Sequence, residues 1–537
     1  MYTRAITRIR PSLIESHPKT IIMNRKSNLS AKVLPVWILV SSCLLLDTET
    51  TLAQESASES WRKNNSLQIL NDFRDFLSLP NVASDKVAMN KNADWIESSL
   101  HQRKFKTKRL NAGGAPYIYA ELNIPSATKT VLIYAHFDGQ PVVAEKWSTP
   151  PWQPTLRDNL IDAGGKVLPW PTKNSEIDES SFLFARSAGD DKAPVIALMA
   201  ALDGLEYAGI KPTVNIKLIL DGEEEAGSPT LDKIIAEHGS LLKADLMLFC
   251  DGPMHQSGQR QLVFGVRGVM GVNLTTYGPQ RPLHSGHYGN WAPNAAHQMA
   301  SILASLHDDS GRIAIKNYYD EVREMTSEER SAINAMPNID QQLKDDLGIH
   351  PKHLKQTRIE SSVMEPGVIV TGIQVGSTGD QARNVVLPRA TATINLRLVA
   401  NQKPSNVRKL LENHFTSLGY FLTSQEATPE LLKQHQKVLS LDWGDSGYPA
   451  FRTSLDSPMA KKLNEILENL DGTKPLMTPT MGGSLPIYLF EQVVDAPIII
   501  LPVANHDNNQ HGPNENIRVK NLWDAIDVYA AVITQLH

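Results

Sequence analysis

Short apolar runs alternate with longer helix-like runs along the chain, and this alternation constrains the fold more than any other feature. The predicted strands are 117–124, 131–135, 214–220 and 246–249, and the predicted helices are 193–208 and 229–242, the latter capped by Ser228. Such an order is typical of a sheet covered by helices. The pattern returns in a helix at 459–470, a strand at 497–501 and a closing amphipathic helix. The sequence therefore predicts an α/β domain with a mixed, mostly parallel sheet.

The pattern changes between about residue 268 and residue 443. This stretch holds predicted strands at 269–277, 368–375 and 390–398, a helix at 295–306 and a charged segment at 318–347. Because the first pattern resumes afterwards, we predict an α+β domain inserted into the α/β domain. The predicted boundaries are 1–53 for a signal segment, 54–267 and 444–537 for the two parts of the α/β domain, and 268–443 for the insert.

The N-terminal region has the features of a targeting segment. Arg25, Lys26 and Lys32 precede an apolar run at 33–46, and small residues end at Ala53. A basic flank, a short apolar run and small residues are typical of a secretory signal peptide, so we predict export to the periplasm or the medium after cleavage at Ala53. One alternative is lipid attachment at Cys43, which would tether the protein to a membrane. Another is a buried helix.

Composition excludes some partners. The chain has 53 Lys and Arg residues against 58 Asp and Glu residues, for a net charge of −5. A phosphate backbone requires a basic face, so we expect no nucleic-acid partner. Of the two cysteines, Cys250 would remain after cleavage, so no intrachain disulfide is expected and stability must come from the core and any bound metal.

Acidic and histidine side chains stand where predicted strands end or helices begin. They are His136, Asp138, Asp190, Glu224, Glu225, Asp251 and His511. Strand ends in α/β sheets open into a common crevice, so ligands that are distant in sequence can converge there. Carboxylate and imidazole groups are metal ligands. The pattern predicts a metal-dependent hydrolase.

Each of these motifs is weak by itself. A histidine two residues before an aspartate is more often structural, and adjacent acids at a helix start are favoured by the helix dipole. The run from Asp221 to Glu225 is more specific, because four acids after a buried strand repel one another unless a cation or protons neutralise them. An exposed acidic turn is the alternative.

The series of motifs resembles the di-zinc metallopeptidase family that contains carnosine dipeptidases, glutamate carboxypeptidases and amino-acid deacylases. The resemblance covers the chain from about residue 65 onward. It is strongest to the dipeptidase branch, which has similar segments at 136–141, 224–228, 283–289 and 482–486. The resemblance implies a catalytic α/β domain interrupted by an inserted lid and dimerisation domain.

The resemblance also implies a metal centre. By position, His136 and Asp251 are expected to bind one divalent ion, Glu225 and His511 to bind a second, and Asp190 to bridge the two. The ions are expected to be zinc, with manganese or cobalt as alternatives, since carboxylate and imidazole ligands set only a weak preference.

Further roles are carried over by position. Glu224 matches the general base of the family, and Asp138 matches the acid that orients the metal-binding histidine. His284 is expected to reach the active site of a partner subunit, so the resemblance implies a homodimer through the inserted domain. Substrate contact is expected for three residues, which are Arg397, Asn384 and Ser484.

The resemblance implies a di-metal peptidase that cleaves dipeptides or short peptides with a free C-terminal carboxylate, and the N-terminal features add the expectation that it is exported. A small peptide is therefore the expected partner, and a membrane is expected only with lipid attachment at Cys43. Two alternatives stay open at this point. One is an amidohydrolase acting on N-acyl amino acids, which also present an amide beside a carboxylate. The other is a non-catalytic peptide-binding protein on the same fold.

Overall fold

The computed structural model describes residues 38–173, 175–350, 358–444 and 447–537. Residues 54–537 form one unit. The strands are β1 Lys106–Leu110, β2 Tyr117–Leu122, β3 Thr130–His136, β4 Thr155–Arg157, β5 Phe182–Phe184, β6 Asn215–Asp221, β7 Leu246–Phe249, β8 Gln261–Val263, β9 Gly265–Val266, β10 Gly268–Tyr277, β11 Leu283–His284, β12 Gly367–Gln374, β13 Val385–Val386, β14 Arg389–Leu398, β15 Phe421–Thr423, β16 Val438–Asp442, β17 Gly447–Tyr448, β18 Phe451–Arg452, β19 Leu476–Thr478, β20 Ile498–Ile500 and β21 Asn516–Arg518.

The helices are α1 Ile38–Leu77, α2 Lys86–Gln102, α3 Lys192–Ala208, α4 Leu231–His238, α5 Ser285–Tyr288, α6 Ala295–Ala304, α7 Ser327–Ala335, α8 Asp340–Leu347, α9 Ile359–Val363, α10 Pro404–Ser417, α11 Pro429–Gln434, α12 Pro458–Asp471, α13 Ile487–Val494 and α14 Val519–Gln535. Short 3-10 turns separate several of these elements, including one at Glu224–Ala226.

The larger sheet has eight strands in the order β1-β2-β6-β3-β7-β20-β8-β19. The four central strands β6, β3, β7 and β20 are parallel to their neighbours in this group, while β1 and β2 are antiparallel. Parallel neighbours end at the same edge of a sheet, so the carboxyl ends of these four strands lie side by side. The predicted mixed, mostly parallel sheet is confirmed.

Both faces of this sheet are buried at its centre, which explains why the central strands β3 and β7 are almost continuously apolar rather than alternating. Along β3, Ile133 faces the core shared with α2, α3, α12 and α14, whereas Leu132 and Tyr134 face the core shared with α4 and α13. Residues that alternate along a strand point to opposite faces. Two helical layers therefore hold the strand ends in fixed positions.

The second sheet lies in the segment predicted as an insert. Its strands run in the order β12-β14-β10-β16-β15, with β17 also paired to β10. One face packs on α6 and α10 in a core of its own that includes Met299, Ile394 and Leu411. The fold class predicted from the sequence, an α/β domain with an inserted α+β domain, is confirmed. The boundaries at residues 268 and 443 stay predictions.

The helix predicted at 229–242 starts later than expected. It begins at Leu231 with Thr230 in the N-cap position, and a 3-10 turn, Gly239–Leu242, replaces its last turn. Ser228 does not cap it, because its backbone is left-handed at φ 46° and its hydroxyl donates a hydrogen bond to Asp221 at 2.7 Å. The buried acid at the strand end competes for the hydroxyl.

The start of β10 has room for glycine alone. A Cβ atom on Gly268 would lie 2.5 Å from the backbone nitrogen of Ala450 and 2.5 Å from the carbonyl oxygen of Tyr448. On the same strand, a Cβ on Gly271 would have no atom nearer than 3.8 Å. The Gly268→Ala variant should therefore lose about 1–3 kcal/mol of unfolding free energy, measured by urea denaturation. Gly271→Ala should stay within about 0.5 kcal/mol of the wild type. Equal effects of the two substitutions would contradict this packing.

Candidate metal centre

The carboxyl ends of the four parallel strands carry most of the predicted site. His136 ends β3, and Asp251 follows two residues after β7. Glu224 and Glu225 follow β6, and His511 follows β20. Asp190 lies in the loop before α3. The fold thus brings residues from five separate segments to one edge of the sheet.

Asp190 lies between the two histidines. Its Oδ1 is 2.8 Å from His136 Nε2, and its Oδ2 is 3.3 Å from His511 Nε2. His511 Nε2 is also 3.2 Å from Glu225 Oε2, and His136 Nε2 is 4.0 Å from Asp251 Oδ2. The five residues predicted as metal ligands therefore form one cluster, with Asp190 in the central position.

The donor set fits two divalent cations. Among the described residues, two groups have ligand atoms within 4.8 Å of one another, namely His136, Asp191 and Asp251, and Asp190, Glu225 and His511. Glu225 Oε1 is buried and has no hydrogen-bond partner in the part of the chain that the structure describes. Imidazole and carboxylate groups are ligands for zinc, manganese or cobalt.

The electrostatics of the cluster agree with this fit. Burial, with the negative charge of Asp190, raises the pKa of Glu225 to about 8 and the pKa of Asp251 to about 6. A hydrogen bond to Asp190 raises the pKa of His511 to about 9, against the effect of its own partial burial. Without a cation, this cluster would retain protons to limit the repulsion between its acids, and divalent cations would replace them.

Asp138 connects the two sides of the cluster. Its Oδ1 is 3.3 Å from Nδ1 of His136, on the opposite side of the ring from Asp190. Its two oxygens also accept hydrogen bonds from the backbone nitrogens of Glu224 at 3.0 Å and Glu225 at 3.1 Å. The carboxylate thus lies against the imidazole and fixes the backbone of the acidic turn beside it.

The run of acids after β6 divides into two pairs. Asp221 and Glu223 point into the protein, where Glu223 accepts hydrogen bonds from the backbone of Ala115 at 3.0 Å and the hydroxyl of Tyr117 at 3.1 Å. Asp221 accepts a hydrogen bond from the backbone nitrogen of Glu223 at 2.8 Å. Both acids are buried, so the alternative of an exposed acidic turn is wrong for them. Only the second pair, 224–225, lies at the cluster.

Two acids near the cluster were not singled out from the sequence. Asp191 is buried and accepts a hydrogen bond from the backbone nitrogen of His136 at 3.1 Å. Glu515 is buried and pairs with Arg186, whose Nη1 lies 2.7 Å from Glu515 Oε2. Asp191 is adjacent to the predicted ligand Asp190, and the sequence has no signal that separates the roles of these two acids. The one sequence signal for Glu515 was its position four residues after the predicted ligand His511.

The predicted lid residues fall into two places. Arg397 on β14 donates a hydrogen bond from Nη1 to Ser484 Oγ at 2.9 Å. Asn384 instead lies beside His284. The backbone nitrogen of Ser285, the residue after His284, donates a hydrogen bond to the carbonyl oxygen of Asn384 at 2.9 Å. Both His284 and Asn384 are exposed. In the described part of the chain, neither of the two has a hydrogen bond or ion pair with the metal cluster.

Tyr448 is a further residue that the sequence did not suggest. It pairs with Val269 on β10, and Val269 in turn pairs with Arg397 on β14, so the three lie in one row across the second sheet. Its ring stacks on Tyr488 with 5.5 Å between the centroids. Burial raises the pKa of Tyr448 to about 12, with a contribution from Glu224 that Arg397 opposes. The row across the sheet therefore extends toward the acidic turn.

Comparison with known proteins identifies the family. The model of peptidase family M20/M25/M40 matches residues 132–535, a range that includes the whole metal cluster. The chain belongs to this family. It is a metal-dependent peptidase, as the sequence predicted.

The curated relatives include dipeptidases. A Cys-Gly metallodipeptidase of Schizosaccharomyces pombe is 26% identical over 86% of this chain and 94% of its own length. The human Beta-Ala-His dipeptidase is 25% identical over 79% of this chain and 78% of its own. Among solved structures, an M20 family metallo-carboxypeptidase of Sulfolobus solfataricus has a TM-score of 0.68 and 26% identity, covering 87% of this chain and 98% of its own. The predicted similarity to the dipeptidase branch is confirmed.

The prediction of export, with lipid attachment at Cys43 as its alternative, is wrong in the light of these comparisons. The relatives that overturn it are yeast Cys-Gly metallodipeptidases, which match most of the chain. Residues 1–37, which carry the basic flank, lie outside the described residues. The remainder of the apolar run belongs to helix α1, Ile38–Leu77, which also contains Ala53. Among the described residues, no helix is both long and apolar enough to cross a bilayer. A short apolar run is common to signal peptides and to other helices, and it misled the prediction.

Proposed function

We propose that this protein is a dipeptidase that uses two divalent metal ions to hydrolyse dipeptides with a free C-terminal carboxylate. The observation that carries this proposal is the position of Asp190 between His136 and His511, with the acidic turn beside them. The names of two relatives, which specify Cys-Gly and Beta-Ala-His, support a small peptide as the substrate.

The residues that would hold the ions are the five sequence-predicted ligands, with Asp191 as an additional candidate. His136, Asp191 and Asp251 form one group, Glu225 and His511 belong to the other, and Asp190 faces both histidines. When bound, two such ions supply Lewis acidity that polarises a scissile carbonyl and makes a water molecule easier to deprotonate. Zinc is the proposed metal, and manganese or cobalt would suit the same ligands.

Glu224 is the proposed general base. Its backbone is fixed by Asp138, but no donor among the described residues hydrogen bonds to its carboxylate. The neighbouring Glu225 differs, because Gln140 Nε2 donates to its Oε2 at 2.8 Å and His511 lies on the same oxygen. A carboxylate free of partners can take a proton from water and deliver it to the leaving nitrogen. Two adjacent acids thus have different tasks.

The Glu224→Gln variant separates catalysis from metal binding. Its kcat for Cys-Gly should fall by about 100-fold or more, because the amide cannot accept the proton, while bound metal stays at two ions per chain. Glu225→Gln is the matched control, with the same change one residue away, and it should lose bound metal. Metal content is measured by elemental analysis and activity by release of free glycine.

Three results would count against this part of the proposal. Near-wild-type activity in Glu224→Gln would remove Glu224 as the base. Wild-type protein that cleaves neither Cys-Gly nor β-Ala-His but releases the amino acid from N-acetylglycine would replace the dipeptidase with an amidohydrolase of N-acyl amino acids. Binding of dipeptides without any turnover would favour a peptide-binding protein.

Arg397 is the proposed anchor for the substrate carboxylate. It is half-buried, donates to Ser484 and has no acidic partner among the described residues. Val269 pairs with Arg397 across the sheet, and Arg267 lies two residues before Val269. Arg267 also lacks an acidic partner in the described part of the chain, and the Nε of Arg267 is buried without an acceptor. Burial and the charge of Arg397 lower the pKa of Arg267 to about 10. Two desolvated guanidinium groups without a counter-ion suit a carboxylate ligand.

The Arg397→Met variant should raise the KM for Cys-Gly by about tenfold or more, because it removes a charged hydrogen bond to the carboxylate. Arg389 offers a matched control, since it lies on the same strand but is exposed and pairs with Glu426. Arg389→Met should leave the KM unchanged. Steady-state kinetics on Cys-Gly and on its C-terminal amide measures the effect, and equal losses for both substrates would refute carboxylate recognition.

We also propose a homodimer through the inserted domain, with His284 extending toward the partner's active site. Strand β12 is an edge strand whose Ile373 is 61% exposed, and Ile369 on the same strand is also exposed. Exposed apolar edges are prone to pair with another chain. On the same domain Trp291 is 81% exposed. A second copy would cover these groups.

Sedimentation tests the dimer. Wild-type protein should sediment as a dimer, and Ile373→Asp should shift it toward a monomer with reduced activity, because a charge on the edge strand opposes pairing. Val87 on α2 is a control with similar exposure, and Val87→Asp should leave the dimer intact. A fully active monomer would exclude His284 of a partner subunit from the reaction.

A further inference from the structure

The side chain of Glu515 holds the loop that carries Asp190. Its Oε2 accepts hydrogen bonds from Arg186 Nη1 at 2.7 Å and from the backbone nitrogen of Ser187 at 2.9 Å. Its Oε1 accepts hydrogen bonds from the backbone nitrogens of Gly189 at 3.1 Å and Asp190 at 2.9 Å. One carboxylate therefore receives four donors from five consecutive residues.

These contacts also define what Glu515 cannot do. A carboxylate has about four lone-pair positions, and the loop uses all of them. Glu515 is fully buried, and the Arg186 guanidinium balances its charge. The side chain therefore has no free position for a metal ion or a substrate. Its effect on the site must pass through the residues that it holds.

The backbone around Glu515 also joins the segment that carries His511 to the loop that carries Asp190. The carbonyl oxygen of Glu515 accepts a hydrogen bond from Ala185 at 3.1 Å, and β21, which starts at the next residue, pairs with β5. His511 lies four residues before Glu515 in the chain. Its neighbour Gln510 donates a hydrogen bond from Nε2 to Asp190 Oδ2 at 3.0 Å. The segment with His511 and the loop with Asp190 thus form one joint piece of structure.

The other half of the cluster has a different support. His136 ends β3 and Asp251 follows β7, and these two strands pair with each other in the centre of the eight-stranded sheet. The backbone nitrogen of His136 also donates to Asp191. Among the described residues, neither His136 nor Asp251 forms a hydrogen bond or an ion pair with Glu515. Loss of the Glu515 carboxylate should loosen Asp190 and His511 and leave the strand-borne ligands in place.

We propose that Glu515 is a positioning residue that makes binding at the Asp190, Glu225 and His511 group possible, whereas the His136, Asp191 and Asp251 group binds its ion without it. This inference rests on the proposed dinuclear metal centre. It assigns the two groups different structural supports. Strand ends carry His136 and Asp251, whereas Asp190 and His511 come from two loops that a single carboxylate joins.

The test compares Glu515→Gln with a control of the same chemistry. Glu329 in the inserted domain is also a buried glutamate paired with a buried arginine, Arg452, at 3.3 Å. Glutamine is similar in shape to glutamate, but the NH₂ of its amide cannot accept the hydrogen bonds that one carboxylate oxygen of Glu515 accepts. Bound metal is measured by elemental analysis after dialysis, and the thermal midpoint reports folding.

The expected result is a fall from two ions to about one ion per chain in Glu515→Gln, with two ions retained in Glu329→Gln. If the glutamine variant does not fold, Glu515→Asp serves instead, because it keeps the charge but is one methylene too short to reach all four donors, and the same loss of one ion is expected. Two ions retained in a folded Glu515 variant, loss of both together, or an equal loss in the Glu329 control would each overturn the proposal.

Amide hydrogen exchange on metal-free protein tests the support without any metal. In Glu515→Gln the amides of Ser187, Gly189 and Asp190 should exchange about tenfold faster or more, since each loses a charged acceptor, and Glu329→Gln should leave them unchanged. If wild-type protein binds fewer than two ions while this exchange pattern holds, the dinuclear centre fails and the positioning role stands. Unchanged exchange would overturn the positioning role itself.

Discussion

The structure depends on the carboxylate of Asp190, which is buried between two imidazoles. A buried carboxylate is costly unless charges and hydrogen bonds compensate it. Here His136 and His511 face its two oxygens, and Glu515 fixes its backbone nitrogen. With Asp251 and Glu225 beside it, the cluster carries more negative charge than its two histidines can balance, and the proposed divalent cations would supply the difference.

The fold explains how residues so distant in sequence reach one point. The parallel strands β6, β3, β7 and β20 end at one edge of a sheet that helices cover on both faces. Side chains at those ends are held by the packing of the whole domain. The ligands that come from loops need other supports, and the buried acids Asp138 and Glu515 supply them through backbone hydrogen bonds. Rigid strand ends and supported loops together give the cluster its geometry.

Much of this could be predicted from the sequence, because the signals were local. Apolar runs gave β3, β6 and β7, and the polar residues that follow each run were placed at the site. The proposed role of each ligand came from resemblance to a family, since spacing alone cannot tell Asp190, the proposed bridge, from the adjacent Asp191. Glu515 was not predicted, because a buried acid that holds a loop looks the same in sequence as an exposed one.

Other features could not be predicted from local sequence patterns. Ser228 has the sequence of a helix cap, but the buried Asp221 takes its hydroxyl. The N-terminal apolar run has the composition of a signal peptide, and composition does not determine whether such a run is cleaved or retained. The two arginines of the second sheet, Arg267 and Arg397, are 130 residues apart and become neighbours only when β10 pairs with β14. Such pairings cannot be derived from short patterns.

A dinuclear centre that shares Asp190 can be observed in crystals of the zinc-loaded protein, measured with X-rays at the zinc absorption edge. We expect two anomalous peaks per chain, one beside His136 and Asp251 and the other beside Glu225 and His511, with Asp190 in contact with both. A single peak, or two peaks of which Asp190 contacts only one, would contradict it.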